Sequence, residues 1–82
     1  MKQVSFSVVL KAEPEGGYTA IVPSLPGCVT YGKSAEEAKK MASEAIKAYL
    51  ESLKKHNEPI PKEKSVLLTT VNINTNFKFS FV

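Results

Sequence analysis

Residues 22–38 read VPSLPGCVTYGKSAEEA, and this segment joins a run of alternating apolar residues to an amphipathic run. Pro26 and Gly27 suit the central positions of a type II turn, because proline fixes a negative φ and glycine tolerates a positive one. Ser34 and Glu37 have the spacing of a capping box, in which the hydroxyl accepts from the Glu37 N–H and the carboxylate reaches back to the Ser34 N–H. We therefore expect a sheet before the turn and a helix directly after Ser34.

Three short strands are predicted around this turn. Residues 4–12 alternate apolar and polar side chains, which is typical of a strand with one buried face. A loop containing Pro14 and two glycines follows, and residues 18–22 make the return strand. Residues 29–31 predict a third strand that ends at Gly32. The pattern indicates a three-stranded antiparallel sheet.

One long helix is predicted over about residues 35–56. Apolar residues recur every three or four positions from Ala38 to Leu53, which makes a stripe that can pack on the sheet. Lysines and glutamates alternate on the opposite side, as on a solvated helix face. Pro59 and Pro61 prevent the helix from continuing. The predicted class is α+β, with the helix packed on the sheet.

Residues 65–82 form a predicted C-terminal strand extension. A strand is expected over 66–73, and the alternation continues in one phase to the end. The extension is either one long strand, which the unbroken phase favours, or a hairpin that turns at residues 74–76. A second subunit could cover its apolar side chains and pair with its backbone, so we expect a dimer or tetramer. The candidate interface residues are Val71, Ile73, Phe77, Phe79 and Phe81.

Composition predicts a non-catalytic protein. The 82 residues fit a single domain over 1–82, and they include neither Asp nor Arg. No acidic residue lies on the predicted strands, whereas a two-metal nuclease needs several carboxylates on neighbouring elements. One cysteine and one histidine cannot build a four-ligand zinc site. We therefore expect no catalytic residues, no cofactor and no metal.

The reactive residue types have plain structural interpretations. His56 lies where the helix should end, and a histidine there interacts favourably with the helix dipole. Cys28 is expected to be a small core residue, and Glu13 and Glu15 are expected to be solvated loop acids. The alternative function is a nucleic-acid-binding module that uses the lysines of the helix together with Phe77, Phe79 and Phe81, since aromatic side chains stack on bases.

No apolar run reaches the roughly 18 residues that a membrane-spanning helix needs. The first six residues alternate and lack the apolar core of a signal peptide. The predicted location is the cytoplasm.

From the first hairpin to the prolines, over about residues 3–62, the chain resembles the HicB-like antitoxin family. The matching pieces are Gly16-Gly17-Tyr18, residues 22–28, Thr30 with Gly32, residues 34–38, Glu44-Ala45 and residues 58–61. The motif residues expected to be structural are Pro23, Leu25, Pro26, Gly27, Cys28, Gly32, Ser34 and Glu37.

The resemblance implies a partial ribonuclease H-like fold without a nuclease site. It also implies that the protein binds a small mRNA-cleaving toxin of the HicA type, blocks it by occlusion, and assembles as a dimer or tetramer. Two features depart from the family pattern. Lys33 stands where the family often has an acidic residue, and residues 65–82 read as strand where complete antitoxins carry a DNA-binding module. We therefore do not expect DNA binding.

Overall fold

The structure is a computed structural model that describes residues 3–63, 66–76 and 78. Within these residues it contains three strands and one helix. They are β1 (Val9–Ala12), β2 (Tyr18–Ile21), β3 (Val29–Gly32) and α1 (Ala35–Lys55). The strands form one antiparallel sheet in the order β1-β2-β3. The predicted α+β class is confirmed, with three antiparallel strands and one helix.

The β1–β2 hairpin depends on its two glycines. Gly16 and Gly17 have φ values of +104° and +80°, a region that residues with a Cβ rarely adopt. The Glu13 N–H donates to the Gly17 carbonyl, and the Gly16 N–H donates to the Glu13 carbonyl, both at 3.0 Å. The turn thereby sets the register in which Ala12 opposes Tyr18.

Strand β1 is shorter than predicted. It begins at Val9, which opposes Ile21, and residues 4–8 are not strand. β2, the partner strand, ends at Ile21. The next two residues offer β1 no donor, because the Val22 N–H donates to the Cys28 carbonyl at 3.0 Å and Pro23 has no N–H. Residues 4–8 keep their alternating pattern, but no strand in the described part of the chain pairs with them.

The helix begins at the predicted cap. Ser34 has an extended backbone, with φ of −137°, and its Oγ accepts from the Glu37 N–H at 3.1 Å. The Glu37 carboxylate reaches back to the Lys33 N–H at 3.0 Å, one residue before the predicted partner. At the other end His56 is the C-cap, so the helix is one residue shorter than predicted.

Small residues bring the helix close to the sheet. Ala20 on β2 packs against Ala38 and Ala42 of the helix, and all three are fully or almost fully buried. Gly32 of β3 faces the same helix, where a Cβ would lie 2.2 Å from the Ala38 nitrogen. A second buried cluster, formed by Val22, Leu25 and Cys28, packs against the later turns of the helix.

The predicted C-terminal strand over 66–73 is not confirmed. Residues 66–76 form no strand in this chain, and all of them are exposed. A strand pattern becomes a strand only when a neighbouring backbone takes its hydrogen bonds, and the three strands of the sheet pair only with one another. The choice between strand and hairpin, and the positions of Phe77, Phe79 and Phe81, depend on residues outside those described. The ribonuclease H-like arrangement stays a prediction.

Candidate functional site

The family motif folds into a loop that closes on itself. The Val22 N–H donates to the Cys28 carbonyl at 3.0 Å, and the Leu25 N–H donates to the Val22 carbonyl at 3.0 Å. The Cys28 N–H donates to the Leu25 carbonyl at 2.9 Å around Pro26 and Gly27, and Gly27 has a φ of +81°. This is the predicted type II turn.

The loop divides its side chains between the core and the surface. Leu25 is fully buried and Cys28 is almost so, whereas the turn residues Pro23, Pro26 and Gly27 are exposed. The Tyr49 hydroxyl of the helix donates to the Pro26 carbonyl at 2.9 Å. The motif residues therefore fix the loop against the helix, through burial on one side and backbone geometry on the other.

Glu63 ties this loop to two other parts of the chain. One carboxylate oxygen accepts from the Ser24 hydroxyl at 2.7 Å, and the other accepts from the Ser7 N–H at 2.6 Å. No sequence pattern indicates this role, because Glu63 lies between two lysines in a polar segment and no short-range spacing connects it to Ser24. Only the tertiary fold brings the three residues together.

The residues considered for chemistry are dispersed. Cys28 lies in the core, and its burial raises the pKa of its thiol. The His56 Nδ1 lies 2.8 Å from the Ser52 carbonyl within its own helix end, and Glu13 accepts a hydrogen bond from the Thr19 hydroxyl. Within residues 3–63, 66–76 and 78, no three His, Cys, Asp or Glu side chains are placed to hold a metal ion together.

An open groove runs between the N-terminal segment and the helix. Its apolar walls are Val4, Phe6, Val8, Ile46 and Leu50. Gln3, Ser43 and the lysines at positions 39 and 47 complete the lining. We call this feature the edge groove, because it lies beside the outer edge of the sheet. The lining is thus mainly apolar, carries two lysines and includes no carboxylate.

The sheet face opposite the helix is also partly apolar. Val9, Ile21 and Val29 oppose one another across the three strands, and Val29 is 56% exposed. In the next row of that face, the Tyr31 hydroxyl donates to the Gly16 carbonyl at 2.9 Å and so braces the hairpin loop. Separately, α1 is too polar to cross a bilayer, and no other described segment supplies a membrane-spanning helix.

Comparisons with known proteins find a matching family and several relatives. The family model described as a HicB-like antitoxin of bacterial toxin–antitoxin systems matches residues 6–79. A UPF0150 protein of Thermoplasma acidophilum is 46% identical over 66 residues, which are 80% of this chain and 96% of that protein. A UPF0150 protein of Synechocystis is 42% identical over 67 residues, which are 80% of this chain and 85% of that protein.

A longer relative carries a functional name. Antitoxin HicB 1 of Photorhabdus laumondii is 36% identical over 61 residues, which are 74% of this chain and 39% of that protein. The similarity to this relative therefore covers less than half of its length. The match to the family model, in contrast, extends over most of the present chain and includes every strand and the helix. The chain belongs to the HicB-like antitoxin family.

Proposed function

We propose that the protein is a non-catalytic antitoxin that neutralises a small mRNA-cleaving toxin of the HicA type by covering its active surface. The observation that carries the proposal is the family match over residues 6–79. Occlusion needs a stable, complementary surface and no chemical step of its own. We place the complex in the cytoplasm, where mRNA is available to such a toxin.

The roles of the polar side chains support binding over catalysis. Ser34 and Glu37 cap the helix, Tyr49 holds the motif loop, and Glu63 joins that loop to the N-terminal segment. These groups are engaged in maintaining the fold. Cys28 carries the strongest nucleophile type in the chain, and its burial in the core raises the pKa of the thiol, which disfavours the nucleophilic thiolate.

The test is an RNA-cleavage assay with a purified HicA-type toxin from the same genome. Addition of the protein should stop cleavage at a fixed stoichiometric ratio, because each toxin surface is covered by a fixed number of antitoxin chains. Bovine serum albumin at the same concentration is the control. Cleavage that continues at a large excess of the protein would contradict the proposal.

A second assay addresses catalysis directly. The protein alone should leave labelled single-stranded RNA and an RNA–DNA hybrid intact in Mg²⁺ or Mn²⁺. Metal-dependent cleavage that copurifies with the chain and disappears on mutation of one specific glutamate would identify an enzyme.

We also propose that the protein forms a dimer or tetramer through its C-terminal extension, residues 65–82. The support comes from the described part of that extension, in which large apolar side chains face solvent. Leu67, Leu68, Val71 and Ile73 are 87%, 79%, 72% and 73% exposed. Phe77, Phe79 and Phe81 continue the apolar phase of Val71 and Ile73 in the sequence. Burial of such a segment between subunits would remove a large apolar area from water.

A further inference from the structure

The direction of the backbone groups in the N-terminal segment follows from the register of the sheet. The Val22 N–H donates to the Cys28 carbonyl, so the even-numbered residues of β2 bond to β3 and its odd-numbered residues bond to β1. Val9 and Ile21 are therefore a hydrogen-bonded pair. Because N–H groups two residues apart in an extended chain lie on the same side, the Ser7 N–H also points to the β2 side, past the end of that strand.

Glu63 supplies the acceptor that a longer β2 would have offered to Ser7. Its Oε2 accepts from the Ser7 N–H at 2.6 Å, and its Oε1 accepts from the Ser24 hydroxyl at 2.7 Å. Ser24 belongs to the motif loop, whereas Glu63 lies beyond the end of α1. A side chain from a third segment thus fastens the N-terminal segment to the loop, at a place where β1 and β2 no longer pair.

The side chains of the same segment cover the core beneath the loop. Phe6 and Val8 pack against the buried cluster under the motif loop. That cluster contains Leu25 and Cys28. We call residues 3–8 the N-terminal flap, because they precede the first paired residue of β1 and lie against this cluster. Movement of the flap away from the loop would expose the cluster and leave the pairing of all three strands unchanged.

The flap is held more weakly than the elements beside it. Strand pairing begins at Val9, so no strand in the described part of the chain pairs with the flap. On the side towards the helix, the edge groove lies open between the flap and residues such as Ile46. Glu63 is itself exposed, so water competes for the carboxylate that fastens the flap. Segments with few backbone hydrogen bonds and exposed contacts open at a lower free energy than the core.

We propose that the Glu63 carboxylate holds the N-terminal flap closed, and that the flap opens as one unit while the sheet and the helix stay folded. In the open state the Ser7 N–H exchanges its bond to Glu63 for a bond to water. The cluster under the motif loop, with Cys28, then becomes accessible. The opening is a conformational equilibrium of one protomer and involves no partner, so it does not depend on the antitoxin proposal.

Two probes in the native chain report this opening. The Ser7 amide exchanges with deuterium when its bond to Glu63 is broken, and NMR spectroscopy follows this exchange. The thiol of Cys28, which is only 6% exposed, reacts with a thiol reagent when the cluster is uncovered. Cys28 is the single cysteine, so the reagent has one target. Rates measured on short unfolded peptides convert both observations into opening constants.

Three variants separate the flap from the rest of the fold. Glu63→Gln should raise both opening constants about tenfold, because the ionised acceptor of both bonds is lost. Glu58→Gln removes the same charge from another exposed position and should behave as wild type. Ser34→Ala removes the helix cap, which is present in the closed and the open state alike and is lost only on global unfolding. This variant should therefore be less stable in urea and yet keep both opening constants of wild type.

Equal opening constants for the two probes, raised only in Glu63→Gln, support the proposal. Three results overturn it. Unequal constants for Ser7 and Cys28 would mean that the two sites open separately. Constants that rise in Ser34→Ala in proportion to its loss of stability would mean that only global unfolding exposes the probes. Equal constants in Glu63→Gln and Glu58→Gln would mean that the Glu63 carboxylate does not hold the flap.

Discussion

The carboxylate of Glu63 accepts a hydrogen bond from the hydroxyl of Ser24 at 2.7 Å, across 39 positions of the chain. Ser24 is only 6% exposed, so this bond satisfies a polar group that the fold removes from water. The other oxygen of the same carboxylate holds the Ser7 N–H. One side chain thereby connects the motif loop, the N-terminal segment and the beginning of the C-terminal extension.

Glu63→Gln should destabilise the protein by about 1–2 kcal/mol, because both bonds lose the contribution of an ionised acceptor. Urea denaturation followed by circular dichroism measures this change. Glu58→Gln is the matched control, since Glu58 is an exposed acid nearby and the same charge is removed. Equal losses in the two variants would mean that only net charge matters.

A double-mutant cycle isolates the pair. Ser24→Ala and Glu63→Gln should couple by about 0.5–1.5 kcal/mol, as expected for side chains in direct contact. If the free energies of the single changes simply add, the Ser24 hydroxyl is stabilised elsewhere in the native protein.

Gly32→Ala should destabilise by about 3 kcal/mol, at the upper end of overpacking costs, because the new Cβ meets helix backbone atoms that cannot rotate away. Those atoms are the nitrogen and Cα of Ala38, at 2.2 and 2.5 Å. Gly27→Ala is the comparison, with a φ of +81° but open space around the new Cβ. It should cost only about 1 kcal/mol, the strain of the left-handed backbone. Denaturation midpoints in the reverse order would show that the helix moves freely on β3.

Ser34→Ala should destabilise by about 0.5–2 kcal/mol through loss of the helix N-cap. Ser43→Ala, an exposed position in the same helix, should have little effect or stabilise slightly. Toxin binding by folded Ser34→Ala protein, measured by calorimetry, should match that of wild type. An unchanged denaturation midpoint with lost binding would make Ser34 a contact residue.

Cys28 should make the protein less stable in alkali. Burial raises the pKa of its thiol in the folded state, so the unfolded chain loses the proton first as the pH rises. The stabilising contribution is complete below the pKa of the unfolded thiol, about 8.5, and is lost as the pH rises through the folded pKa. The free energy of unfolding should therefore fall as the pH rises above about 8.5, and less steeply in Cys28→Ala. Parallel slopes in the two proteins would show that other groups cause the alkaline loss.

Local patterns predicted most of the described fold. The turn at Pro26-Gly27, the cap at Ser34 and the helix boundaries each depend on residues within four positions of one another, so the sequence alone specified them. The predicted length of β1 was wrong, because the strand begins only where β2 can pair with it, and β2 has no free N–H to offer beyond Ile21 at Val22 and Pro23. Where such a strand ends depends on the hydrogen bonds that its partner strand can offer. The alternation within the strand itself therefore does not predict its length.

Contacts between distant segments were the part that the sequence could not supply. No spacing rule connects Glu63 with Ser24 or Ser7, because the closure depends on how the loop and the helix pack. The C-terminal alternation predicts a strand, but the pattern of one segment does not identify the segment that would pair with it. Its apolar residues, among them Val71 and Ile73, are exposed in the single chain. Their function as an interface stays a prediction.

The order of strands in the sheet follows their order along the chain, and the helix comes directly after the last strand. Such a topology has a low contact order, so the protomer core can form rapidly from neighbouring segments. The core elements, from β1 to α1, also precede the apolar segment 66–76 along the chain and are therefore synthesised first. A core that forms from neighbouring segments shortens the time for which its own apolar side chains are exposed during folding, and so limits aggregation of partly folded chains.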